Sequence, residues 1–229
     1  MAAFEKAGQI AEWISQRDAS DTTAAFDVAA AHTRTASSLI ELPDAAAALA
    51  HLSRAESILS RLAKGDPANQ RYRLYALGVD YDSGRALSML GRAAEASARL
   101  ERARAEAAGF RGGPNEKTAR SWALGAAVLL GQIRASSGDR AAALALANEA
   151  AAGFNGGGFF GAAWSRALNY QRLGILYSRV GQRQSSAEWL GKSIDVWRGL
   201  TVPAGLEAER GKALAAVEAE LANAASRGY

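Results

Sequence analysis

Gly156, Gly158 and Gly161, inside Gly153-Phe-Asn-Gly-Gly-Gly-Phe-Phe-Gly161, stand at the G-x-G-x-x-G spacing with which a loop cradles a dinucleotide pyrophosphate. That chemistry needs a strand before the loop, a helix after it and an acid ~20 residues on to hold the ribose. Here the preceding segment, 139–152, is Ala/Leu-rich with helical periodicity, and no Asp or Glu occurs between residues 150 and 187. A helix end is the better reading. Gly112-Gly-Pro-Asn-Glu-Lys117-Thr118 has the Lys-Thr end of a phosphate-binding loop, but Glu116 stands where that loop needs Gly and no strand precedes it. A turn with Asn115 as helix N-cap is expected there. The two histidines, His32 and His51, fall on different predicted helices with no carboxylate at ligand spacing. The chain has no cysteine, which excludes disulfides, thiol nucleophiles and thiolate-bound metals. Glu207, Glu209, Glu218 and Glu220 read as the solvated face of the last helix, and no pair of carboxylates converges for acid–base work. The sequence therefore predicts no enzyme, no cofactor and no metal.

The elements that carry these residues are helical. Of 229 residues 49% are hydrophobic, with four prolines and few β-branched side chains, a composition that favours helix almost everywhere. The longest apolar runs, such as 45–50, are far short of the ~20 residues of a membrane span, so no membrane insertion is expected. The opening residues, with Glu5, Lys6 and Glu12, lack the basic start and apolar centre of a secretory signal. A cytoplasmic location is expected for the chain as written, and a periplasmic one if it is a piece of a membrane-anchored protein. A formal net charge of +4, from 27 basic and 23 acidic residues, is a thin footprint for nucleic acid, which is not the expected ligand.

Internal periodicity organises the chain. Three segments align: Ser83-Gly-Arg-Ala-Leu-Ser-Met-Leu-Gly91-Arg92, Leu130-Gly-Gln-Ile-Arg-Ala-Ser-Ser-Gly138-Asp139 and Leu173-Gly-Ile-Leu-Tyr-Ser-Arg-Val-Gly181-Gln182. Each has a mid-helix Gly, six residues, then a second Gly and a polar residue. Five, nine and twelve positions beyond the second Gly stand Ala96, Leu100 and Ala103, then Ala143, Ala147 and Ala150, then Ser186, Leu190 and Ser193. A divergent first copy has Pro43-Asp44 in the turn, Ala36 for the first Gly, and Ala48, Leu52 and Ala55 at the same offsets. The second Gly suits the residue just past a helix end, where φ is positive. The first Gly and the small residues at offsets five and twelve suit two helices that cross closely. The predicted helices span 3–17, 21–41, 44–63, 68–90, 92–108, 115–137, 139–153, 159–180, 183–199 and 204–226.

These residues resemble the tetratricopeptide repeat (TPR), whose pattern runs W-x2-L-G-x2-Y, then G, then A-x3-F-x2-A. The fourth copy matches best, with Tyr170, Leu173, Gly174, Tyr177, Gly181 and Leu190. The third has Arg134 in the Tyr slot, and the second departs at Asp80 and Ser83. The resemblance implies an all-α, right-handed TPR-like α-solenoid forming a single domain over 1–229. It would comprise an N-terminal helix in 1–20, hairpins 21–66, 67–113, 114–158 and 159–202, and a capping helix in 203–229. The anchors at 43, 91, 138 and 181 are spaced more widely than the usual repeat. The tail around Trp189 and Trp197 looks like C-terminal TPR regions of bacterial eukaryotic-type Ser/Thr kinases, although no kinase motif is present.

What the resemblance implies about function is a non-catalytic interaction module that binds a peptide or protein segment in a concave groove, as a sensor or docking part of a bacterial signalling system. The groove slots carried over from the family are Tyr81, Arg85, Gln132, Gln171, Arg172, Ile175 and Arg179, with Thr33, Ser37, Ser88 and Val128 beside them. The Lys/Asn clamp of chaperone-tail-binding members is missing, since Thr33 and Ser37 fill two of its slots, and His32 falls in the first repeat's aromatic slot as a packing residue. Arg166, Arg172, Arg179 and Arg183 make the fourth hairpin basic and suit an acidic partner, because guanidinium pairs bidentately with carboxylate. The alternative reading is a structural module that self-associates as a homodimer, with Trp189 and Trp197, eight residues apart on one helix, as candidate contact anchors, of which at least one is expected to pack in the core instead.

Overall fold

The computed structural model describes residue 13 and residues 20–157, 161–203 and 205–226, and among them the chain is helical without any strand. From Thr22 on, nine α-helices follow one another among the described residues: α1 (Thr22–Glu41), α2 (Ala45–Gly65), α3 (Gln70–Met89), α4 (Ala93–Ala107), α5 (Glu116–Ser136), α6 (Arg140–Asn155), α7 (Ala163–Arg179), α8 (Arg183–Gly199) and α9 (Glu207–Ser226). A 3₁₀ turn, Ala108–Phe110, follows α4. The expected helix 3–17 lies, apart from Trp13, outside the described residues. Two compact units divide the chain, Met1–Trp122 and Ala123–Tyr229, the division falling within α5.

Local chemistry explains the helix ends. After α3, α5 and α7 the glycines take positive φ, 72° at Gly91, 85° at Gly138 and 80° at Gly181. In each case two amides turn back onto the helix. Gly91 N–H donates to Ser88 O at 3.2 Å and Arg92 N–H to Leu87 O at 2.9 Å, and Gly138/Asp139 and Gly181/Gln182 repeat the pattern. The first copy keeps half of it. Asp44 N–H reaches Leu39 O at 2.9 Å, but Pro43 has no N–H to donate and sits at φ 25°. Asp44 and Asp139 then cap the following helices by accepting from Ala47 and Ala142 N–H, both at 3.1 Å, whereas Arg92 and Gln182 cap with no side-chain bond.

The first unit packs α1 on α2, α2 on α3, α3 on α4 and α1 on α3. The second packs α6 on α7, α7 on α8 and α8 on α9. In every hairpin the offset positions are sealed: Ala48, Leu52, Ala55, Ala96, Leu100, Ala103, Ala143, Ala147, Ala150, Ser186, Leu190 and Ser193 are all at most 1% exposed. The mid-helix glycines face them. A Cβ on Gly84 would stand 2.5 Å from Leu100 Cγ, and one on Gly174 would stand 2.7 Å from Leu190 Cγ. No helix interior carries Gly without cost, about 1 kcal/mol against Ala, and here the close approach of the partner helix requires it. Ser193 bonds Ala167 O at 2.8 Å, while the Ser186 hydroxyl is buried with no partner.

The opening glycine cluster is a helix end. Gly153 lies inside α6, where the Leu124 side chain occupies the space a Cβ would fill. Phe154 packs edge-on against Tyr170 and Trp189, and Gly157 at φ 71° closes the helix. No strand precedes these glycines, so the dinucleotide spacing has no cradle to belong to. Phe159 and Phe160 lie outside the described residues. Helix α7 starts at Ala163, four residues later than expected, because Ala162 is extended at φ −61° and ψ 147°. Trp164 then stacks edge-to-face on Trp197, with centroids 4.7 Å apart.

Candidate functional site

The residues expected to line a groove divide between the units, with Tyr81 and Arg85 in the first and Gln132, Gln171, Arg172, Ile175 and Arg179 in the second. Each set has its own chemistry.

In the first unit α1 and α3 lie side by side and turn their polar side chains on each other. Arg85 donates to Asp82 Oδ1 at 3.0 Å and to the Glu41 carboxylate, and its guanidinium stands 5.8 Å over the Tyr81 ring. Asp82 takes a second bond, 2.6 Å, from the Ser37 hydroxyl. Burial opposes the charge of Arg85, but Asp82, Tyr81 and Glu41 outweigh it and hold the guanidinium above its ordinary pKa. Its Nε is buried without a partner. Tyr81 is itself buried, and the hydroxyls of Thr33 and Ser88 donate to their own helices, to Ala29 O at 2.9 Å and Gly84 O at 2.8 Å. Arg85 is therefore committed to internal carboxylates.

A second ionic cluster ties α2, α3 and α4. Arg99 bonds Glu56 through both terminal nitrogens, at 2.5 and 2.9 Å, and reaches Asp80 at 2.9 Å. Arg102 donates from Nε to Asp80 Oδ2 at 2.9 Å. The hydrogen bonds from Arg99 hold the Glu56 carboxyl below its usual range against the opposing effect of burial. Asp80, a departure from the repeat pattern, is thus the partner of two arginines. Beside the cluster lies a depression of about 510 Å³, whose lining includes Leu49, Ser83, Leu87 and Ala98. Its guanidiniums are matched by carboxylates.

In the second unit Gln132 on α5 donates to Arg172 O on α7 at 3.0 Å. Gln171, Arg172 and Ile175 are half-buried and Arg179 is exposed in the last turn of α7, where the helix dipole favours a cation. Ile175 packs against the α8–α9 core. Arg166 is exposed too, and among the described residues no carboxylate pairs with it or with Arg179. The neighbouring tyrosines serve packing: Tyr177 is buried with its hydroxyl on Asn148 Oδ1 at 2.9 Å, and Tyr170 stacks on Trp189. Burial, then Glu188, raise the Tyr177 pKa.

Two expectations are corrected here. Val128 is wholly buried, because Leu124, Val128 and Gly131 share the α5 face that packs on α6. Trp189 and Trp197 are 2% and 0% exposed, so neither presents a contact anchor. The phosphate-loop likeness at 112–118 ends in a closed turn, since Glu116 Oε2 accepts Gly112 N–H at 2.7 Å and Asn115 O accepts from Ala119 N–H as α5 begins. Glu207, Glu209 and Glu218 are exposed, Glu218 pairing with Arg198 at 2.8 Å.

Spacing alone missed one juxtaposition. His32 and His51, on facing helices α1 and α2, meet at Nδ1···Nδ1 2.9 Å. Among the described residues no group of three or more His, Cys, Asp or Glu is placed to hold a metal ion, and no helix is long and apolar enough to cross a membrane. No protein-family model matches the chain, and no curated protein matches it.

Proposed function

We propose that this chain is a non-catalytic, TPR-like α-solenoid whose second unit binds an acidic peptide or protein segment along α7. The observation that carries the reading is the pair of exposed arginines, Arg166 and Arg179, that have no carboxylate partner among the described residues, on a helix without a single acid. Repeat kinship is supported by the sealed offsets and the common turn chemistry of successive hairpins. Gln132, Gln171, Arg172, Ile175 and Arg179 are the residues assigned to contact the ligand. Tyr81 and Arg85 act as structural members of the first unit. The likeness to kinase-appended repeats supports a docking role in a bacterial signalling system. A peptide-array or pull-down screen with the Arg166→Glu/Arg179→Glu variant tests the assignment. Capture of acidic segments falls at least about tenfold if two charge-assisted hydrogen bonds are lost, and undiminished capture removes the site.

Self-association is the second reading. With the tryptophans buried, its support is the exposed Leu42, Met89 and Leu90 near the hairpin turns of the first unit, 58%, 46% and 44% accessible. Light scattering across a concentration series decides it, and a mass that stays monomeric excludes it.

A further inference from the structure

Three exposed arginines stand around the turn between α7 and α8. Arg179 and Arg183 lie two residues to either side of Gly181, and Arg140, at the start of α6, lays its guanidinium over that glycine. A Cβ on Gly181 would stand 2.9 Å from Arg140 Nη2, whereas a Cβ on Gly91 or Gly138, at the equivalent turns, would meet nothing within 4 Å. Helix α6 packs on α7 through one core that joins Ala143 and Ala147 to Leu176 and Tyr177, which fixes where Arg140 stands. The acids nearest in sequence are already engaged. Asp139 accepts from Ala142 N–H at 3.1 Å, and Glu188 accepts from Lys192 Nζ at 2.7 Å. Among the described residues no carboxylate pairs with Arg140 or Arg179.

Two such guanidiniums at one turn exceed what a carboxylate can use. A carboxylate brings one negative charge and two oxygens, which a single guanidinium fork satisfies. A phosphate monoester brings about −1.5 to −2 charges and three terminal oxygens, enough for two forks. We infer that the α7–α8 turn receives a phosphorylated side chain of the acidic segment, its phosphoryl oxygens taken by Arg140 and Arg179, with Arg183 adding a third positive charge beside them. The site rests on the docking of an acidic segment along α7. It sets the register of that segment, since one dianion held at the end of the helix decides which residues lie beside Gln171 and Arg172.

The test is fluorescence polarisation of the full chain with labelled Glu-rich peptides that carry one serine, phosphorylated or not. Phosphorylation should tighten binding about tenfold or more, through one or two added charge-assisted hydrogen bonds. Arg140→Gln should erase that gain and leave the affinity for the unphosphorylated peptide at the wild-type value, because Arg140 lies off α7. The exchange is at an exposed position, so the fold stands. Equal affinity for the two peptides, or a gain that survives in Arg140→Gln, overturns the phosphoryl site and leaves the docking of an acidic segment along α7 intact. If neither peptide binds, that docking falls and the phosphoryl site falls with it.

Discussion

Leu176 Cδ2 lies 2.5 Å from where a Cβ on Gly131 would stand. In the second and fourth hairpins that space is filled by Leu100 or Leu190, nine residues beyond the turn glycine. The third has Ala147 there, and Leu176 from the next hairpin takes the place. Gly131→Ala gains helix propensity of about 1 kcal/mol but forces overpacking that costs about 1–3 kcal/mol. Leu176→Ala opens a cavity worth about 2–5 kcal/mol. Denaturant unfolding of the double variant should show a loss smaller than the two single losses added together. Simple additivity would mean that the residues do not compete for one space.

Pro43→Gly should stabilise the chain. Glycine accepts the positive φ that the proline ring resists, and its N–H completes the turn seen at Gly91, Gly138 and Gly181. The added freedom of the unfolded chain offsets about 0.4–1 kcal/mol of this. A net gain of about 1 kcal/mol, a rise of about 2–4 °C in Tm, is expected from a thermal melt. A fall in Tm would show that the proline turn is unstrained.

The fourth hairpin places serine in both small-residue slots with opposite results. Ser186→Ala removes a buried hydroxyl without a partner and should stabilise by about 1 kcal/mol, whereas Ser193→Ala removes the bond to Ala167 O and should cost about 1 kcal/mol. Chemical denaturation of the two variants gives both signs. Equal effects would contradict this account.

The ionic cluster of α2, α3 and α4 makes a pH prediction. The folded pKa of Glu56 is lowered from 4.5, so its contribution is present above that value and is lost as pH falls through the lower folded value. Wild type should exceed Glu56→Gln in Tm at pH 7, and the gap should shrink as pH falls from 4.5 through the lower folded value. The gap is modest because the carboxylate is partly exposed. A gap that does not change as pH falls below 4.5 would assign the stabilisation to something other than charge.

Much of the fold was legible because its causes are local. Turn glycines, Asp44 and Asp139 caps and small residues at fixed offsets act within a few residues of one another, so spacing along the chain encodes them. The helix-rich architecture followed. Pairings between helices were not legible, because they depend on the rotational phase of two elements. Nothing in the spacing sets Glu41 beside Arg85, Asp80 beside Arg99 and Arg102, or His51 against His32. The candidate groove suffered for the same reason. Slots transferred by resemblance put Val128 and Tyr81 on a surface, whereas α5 and α3 are rotated to bury them. Arg166 and Arg179 were readable as cations, but their lack of carboxylate partners among the described residues became visible only with α7 and its neighbours in place.

Amide chemical-shift mapping with a Glu-rich peptide tests the central claim most directly. Saturable shifts should concentrate on α7 from Gln171 to Arg179 and on Gln132, and should vanish when the glutamates are replaced by lysines. Shifts confined to other helices, or equal for the two peptides, would contradict binding of an acidic segment along α7.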